Sequence, residues 1–147
     1  MARVVAVSVS EKKGMRKTNV KEAWLEAEHG IIGDAHAGHG HRQISLLAKE
    51  SIEKMQALGL DVSAGDFAEN LTTEGIELPV LPLGAQILVG NSVALEVTQI
   101  GKTCHERCAI YYQAGDCVMP KEGIFARVLK GGRVASGDEI TIIIKDR

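Results

Sequence analysis

The chain has 147 residues, of which 45% are hydrophobic and 24% charged, and it carries a formal net charge of −2. That length is most simply one domain, residues 1–147, large enough to bury a core without staples. The near-neutral charge argues against nucleic-acid binding, aromatics at 3% leave little for base stacking, and no stretch reaches the ~20 apolar residues that cross a bilayer.

The first segment, Arg3 to Val9, is β-branched and partly alternating, which predicts a strand. Nothing in the amino-terminal residues reads as a secretion signal, so the expected location is the cytoplasm, where thiols stay reduced. Glu11 to Lys17 reads as a charged loop around Gly14. Residues 19–28 are ambiguous: Val20, Trp24 and Ala27 fit a helical stripe, whereas Ala23 and Leu25 fit a strand. His29 to Arg42 is glycine-rich and holds all but one of the histidines, so a loop is expected, followed by a short strand over Gln43–Leu47. Ala48 to Leu58 is the best helix, with Ile52, Met55 and Leu58 as its apolar stripe and Gly59 as its stop. Strands are expected at Ile87–Val89, Val93–Ile100 and Glu139–Ile144, set off by glycine turns. Gly123 to Lys130 reads as a second short helix with Ile124, Val128 and Phe125 inward. The class is therefore mainly β (α+β): a β-barrel-like domain with one or two short helices.

Three stretches carry candidate chemistry. All three cysteines, Cys104, Cys108 and Cys117, fall within fourteen residues, with His105 and Arg107 beside the leading pair and Lys102 close by. A cysteine reacts as its thiolate, and neighbouring cations favour that form. The same thiols could be small buried hydrophobes. They could also join a histidine around zinc, since Cys-x3-Cys lies within the usual ligand spacing. The second stretch is Gly33-Asp34-Ala35-His36-Ala37-Gly38, continuing through His39 and His41 to Arg42. It fits a weak metal site, a plain surface loop, or an anion pocket in which backbone N–H groups and Arg42 meet a ligand. The third is Gly65-Asp66-Phe67-Ala68-Glu69-Asn70-Leu71-Thr72-Thr73-Glu74-Gly75, whose short polar side chains also suit turns and caps.

In this order, the segments 33–38, 42–47, 65–76, 81–85, 95–105 and 123–132 resemble the MOSC domain, the module named after the carboxy-terminal part of molybdenum-cofactor sulfurases. The resemblance spans essentially the whole chain and is to the short, stand-alone form. It implies a barrel-like β fold and a cysteine that holds sulfane sulfur or ligates molybdenum. Val-Thr-Gln-Ile-Gly-Lys-Thr-Cys puts that role, including the metal contact, on Cys104, with Cys108 as second choice. The implied cofactor is the molybdenum cofactor (molybdopterin), whose phosphate calls for a cationic, glycine-lined pocket. Asp34, His36, Gly38, Arg42, Asn70, Lys102 and Arg107 are the candidates to line it. Full-length sulfurases add a pyridoxal-phosphate cysteine desulfurase, for which this chain has no room. A separate desulfurase or a molybdoenzyme maturation partner is thus the expected partner. Alternatives are a zinc protein using the clustered cysteines, or a component of a molybdenum-cofactor-dependent reductase.

Overall fold

The computed structural model describes residues 2–10, 17–35, 37–38, 40, 42–101 and 122–144, and every structural statement below concerns these. Eleven strands are found among them: β1 Arg3–Val9, β2 Thr18–Val20, β3 Glu22–Glu26, β4 Gly30–Ile31, β5 Ile44–Ala48, β6 Leu71–Glu74, β7 Gln86–Val89, β8 Val93–Ile100, β9 Ile124–Lys130, β10 Gly132–Ala135 and β11 Ile140–Ile143. One helix, α1 (Lys49–Ala57), lies between β5 and β6, and a single 3-10 turn covers Leu78–Val80. Eight strands form one mixed sheet in the order β11-β7-β8-β9-β5-β6-β1-β2, and β10-β3-β4 form a second, smaller sheet. The β5–β6 pair is parallel, which requires a crossover, and α1 supplies it.

The expected class holds: the fold is mainly β. The large sheet curls but does not close into a barrel. Among the described residues, β1 and the turn before β11 meet at one corner, where Arg3 bridges to Glu139 and Val4 N–H donates to the Asp138 carbonyl at 2.9 Å. The major core lies inside the curl, built from Val4, Val7, Ile44, Leu46, Leu71, Leu95, Val97, Ile124 and their neighbours. A second cluster lies on the outer face, where Ile52 and Met55 of α1 cover Leu47, Phe67 and Phe125.

The ambiguous segment 19–28 resolves as the strands β2 and β3 followed by a turn. Along β3, Ala23 and Leu25 are buried while Trp24 is 55% exposed, so the helical stripe containing Trp24 is ruled out. Residues 124–130 are also strand, not the expected helix. β9 lies between β8 and β5 and is buried on both faces, Phe125 toward α1 and Ile124, Ala126 and Val128 toward the major core. A strand covered on both sides reads as a continuous apolar run, and its spacing mimicked a helix. In α1, Ile52 and Met55 are buried as expected, but Leu58 is 63% exposed. Each three-residue step along a helix lags the face by about 60°, so Leu58 is turned about 120° from Ile52. Gly59 ends the helix in a left-handed conformation with φ 92°.

Candidate functional site

The glycine-rich and 65–76 motifs converge on the carboxy-terminal end of β1. Asp34 Oδ1 accepts the Ser10 N–H at 3.0 Å and the Lys17 ammonium at 2.9 Å, and Lys17 Nζ also reaches Ser10 Oγ at 3.0 Å. Lys17 was expected at the end of a charged loop. It is buried because this pair anchors it, while residues 11–16 of that loop lie outside the described residues. Asn70 is fully buried. Its amide donates to the Ser8 carbonyl at 3.1 Å, and its Oδ1 accepts the Ser45 N–H at 2.9 Å and Ser45 Oγ at 3.1 Å. Asp34 and Asn70 thus tie loops to β1 and β5 from beneath the surface.

Glu69 serves the same loop. Its carboxylate accepts the N–H groups of Gly65 and Phe67 and the hydroxyl of Thr72. Burial pushes its carboxyl above the ordinary carboxylate range, and these donors pull it partly back. Gly65 has φ 93°, and a Cβ there would lie 2.5 Å from the Lys17 carbonyl oxygen, so the tight packing of this corner requires glycine.

Arg42 stands apart from this buried node. It is exposed at the amino-terminal end of β5, on the face that α1 shares. Its guanidinium lies over the Phe125 ring, 5.2 Å from Cζ to the centroid, and Nε donates to Gln99 Oε1 at 2.9 Å. The Gln99 amide nitrogen in turn donates to the Gly101 carbonyl at 2.8 Å, and Gly101 N–H donates to the Gly123 carbonyl at 2.7 Å. Gly101 and Glu122 flank residues 102–121, and Glu122 is held by Ser51 Oγ at 2.6 Å and by Lys54. The glycine and histidine loop therefore ends beside the root of the segment that carries every cysteine.

Gln99 owes its direction to a fault in the ladder. Val97 pairs with Ala126, but Gln99, not Thr98, pairs with Phe125. One extra residue on β8 forms a bulge, which re-aims the side chains beyond it. Leu95 and Val97 point into the major core; strict alternation would send Gln99 there too. The bulge puts it opposite Phe125, on the outer face beneath Arg42.

Of the residues expected from sequence, Arg42 is exposed and Gly38 half-buried, while Asp34 and Asn70 are buried in the separate node at the end of β1. Cys104, Cys108, Cys117, Lys102, His105, Arg107, His36, His39 and His41 lie outside the described residues, and with them the candidate thiol, zinc and histidine sites. Lys17, Ser45, Gln99 and Phe125 were missed. For Gln99 a signal existed: a polar residue at an inward position of an alternating strand marks a register break. Among the described residues no cluster of three His, Cys, Asp or Glu could hold a metal ion, and no helix is long and apolar enough to cross a membrane.

A curled, mainly β domain with one helical crossover, in which the glycine-rich loop ends at Arg42 beside Gln99 at the end of β8, is the class these elements define. The chain belongs to the MOSC domain family, matched over residues 33–141. That family is linked to molybdenum-cofactor sulfurase-type modules. The fold is similar to that of the YUAD protein from Bacillus subtilis, at a TM-score of 0.80, 20% identity, and coverage of 96% of this chain and 94% of that one. It is also similar to YiiM from Geobacillus stearothermophilus, at a TM-score of 0.71 and 19% identity over 98% of this chain and 76% of that one. YiiM from Escherichia coli is similar at a TM-score of 0.70 and 20% identity over 99% of this chain and 71% of that one. No curated protein sequence matches the chain at a significant level.

Of the described candidates, only Arg42 presents a chemistry suited to the implied cofactor. An exposed, stacked guanidinium fits a phosphate oxygen pair, whereas Asp34 and Asn70 spend their polar atoms on the protein itself.

Proposed function

We propose that this chain is a sulfur-carrier or molybdenum-cofactor-binding module whose reactive group is the Cys104 thiolate, with Cys108 as the second choice. The observation that carries the reading is the Arg42–Gln99–Gly101 chain of hydrogen bonds. It sets an exposed cation beside the root of the cysteine segment. Cys104 follows Gly101 by three residue steps, a reach of at most about 11 Å when fully extended. Chain length alone therefore ties Cys104 to this corner more tightly than Cys108 or Cys117.

In the carrier form, a thiolate at Cys104 attacks the terminal sulfur of a persulfide on a separate cysteine desulfurase. A new S–S bond forms at Cys104, the donor's S–S bond breaks, and the donor leaves as a thiolate. Cationic neighbours favour the attacking thiolate. When bound, the molybdenum cofactor would supply a metal that accepts sulfur or a thiolate ligand. Arg42, together with Lys102 and Arg107, would hold its phosphate, and Gly38 would let the loop backbone approach. The family's association with pyridoxal phosphate belongs to the desulfurase partner in this reading. The reaction takes place in the cytoplasm, where free thiols persist.

Intact-mass measurement after incubation with a cysteine desulfurase and cysteine tests this. A +32 Da adduct on the wild type, absent from Cys104→Ser, is the expected result. An adduct that survives in the Cys104→Ser, Cys108→Ser double variant, or none at all on the wild type, rejects the carrier form.

A further inference from the structure

We propose that Gln99 is a positioning residue that aims Arg42 at the phosphate end of an anionic ligand; this rests on the reading of Arg42 above. Three features converge on Gln99. The β8 bulge turns it out of the core and sets it opposite Phe125. Its Oε1 accepts Arg42 Nε–H at 2.9 Å. Its Nε2 is fixed at 2.8 Å to the Gly101 carbonyl, so the amide cannot flip without giving up both bonds.

An arginine on the surface ordinarily samples many rotamers, and holding it in one costs side-chain entropy. Here the ring of Phe125 supports one face of the guanidinium and Gln99 holds Nε. The fork is thereby oriented before a ligand arrives, and pre-orientation raises affinity by removing the ordering cost from the binding step. A glutamine suits this task better than a glutamate. Its neutral carbonyl directs Nε without cancelling the charge that an anion must see. The same side chain reports on Gly101, so the orientation of Arg42 and the root of the cysteine segment are coupled through one amide.

The test uses the full chain, inorganic phosphate as the probe, and the 15N–1H signal of Arg42 Nε. In the wild type that Nε–H resonance should be slow to exchange with water and should shift on phosphate addition. Arg42→Ala should abolish the phosphate response. Gln99→Ala should broaden the Nε signal and weaken phosphate binding roughly tenfold, the loss expected for one charge-assisted bond. Gln99→Glu should weaken it at least as much by pairing with Arg42, although its Nε–H stays ordered. A merely structural Gln99 would instead lower the melting temperature and leave phosphate affinity of the folded protein within twofold, which overturns the inference. Absence of phosphate binding to the wild type overturns it as well. Persulfide formation at Cys104 is measured independently. Unchanged phosphate affinity in the Gln99 variants alongside a normal +32 Da adduct removes this inference alone, whereas loss of the adduct with intact phosphate results removes the carrier reading alone.

Discussion

Lys17 and Asp34 face each other at 2.9 Å with side chains only 1% and 0% exposed. A pair so shielded gains little net energy over an apolar pair of the same shape, because both ions lose their hydration, but it punishes the loss of one partner. Lys17→Met should therefore destabilise the fold by about 3–5 kcal/mol, and Asp34→Leu by a similar amount. The double variant Lys17→Met, Asp34→Leu should recover part of that loss, less whatever the Ser10 N–H forfeits when Asp34 is removed. Urea unfolding of the four proteins measures the coupling. Strictly additive single losses would show that the two side chains do not act as a pair.

Regular elements were legible in the sequence where a single face decides them. β1 and β8 run Arg3–Val9 and Val93–Ile100, as their β-branched runs and closing turns predict. Legibility failed where burial is two-sided or where a side chain replaces backbone. Ile124 to Val128 carries no alternation because Phe125 meets α1 while its neighbours meet the major core. Gln43 looked like the first residue of a strand; instead its side chain accepts the Val128 N–H at 2.9 Å and donates to the Gly40 carbonyl, doing by side chain what the ladder would do. The site was half legible. Arg42 and the glycine motif could be singled out by type; Gln99 breaks the alternation of its strand, which marks a register fault, but its pairing with Arg42, 57 residues away, is set by the fold and not by spacing.

Thr73 offers a test of the core. Its backbone sits in β6 between β5 and β1, its side chain is fully buried, and Oγ1 has no hydrogen-bond partner among the described residues. A buried hydroxyl without a partner forfeits its hydration and regains nothing. Valine has nearly the same shape without the oxygen. Thr73→Val should raise stability by about 1 kcal/mol or more, read as a higher melting temperature. A lower melting temperature would mean that the hydroxyl is satisfied in solution.

The corner at Gly65 should resist any side chain. At φ 93° with the Lys17 carbonyl oxygen 2.5 Å from the ideal Cβ position, alanine meets both strain and backbone. Gly84 has a similar φ of 89° but open space around it, so it isolates the conformational part of the effect. Gly65→Ala should cost more than Gly84→Ala, whose loss should stay near about 1 kcal/mol. Equal losses at both sites would show that the corner relaxes around a methyl group.

Glu69 gives the pH dependence its sign. Burial raises its folded-state carboxyl above the ordinary range, so the unfolded chain releases this proton at lower pH than the native chain does. Stability from this group is then fully present below the ordinary carboxylate range, declines as pH rises toward the raised value, and is level above it. Glu69→Gln removes the titration. It also puts an NH2 against at least one of the donors that the carboxylate now accepts, Gly65 N–H, Phe67 N–H and Thr72 Oγ–H, at a pH-independent cost of about 1–3 kcal/mol. The stability gap between wild type and variant should therefore be widest in acid and narrow as pH rises across the window. Denaturant unfolding from acid to neutral pH measures it. A gap that widens with pH would mean that the three donors outweigh burial and hold Glu69 below, not above, its ordinary value.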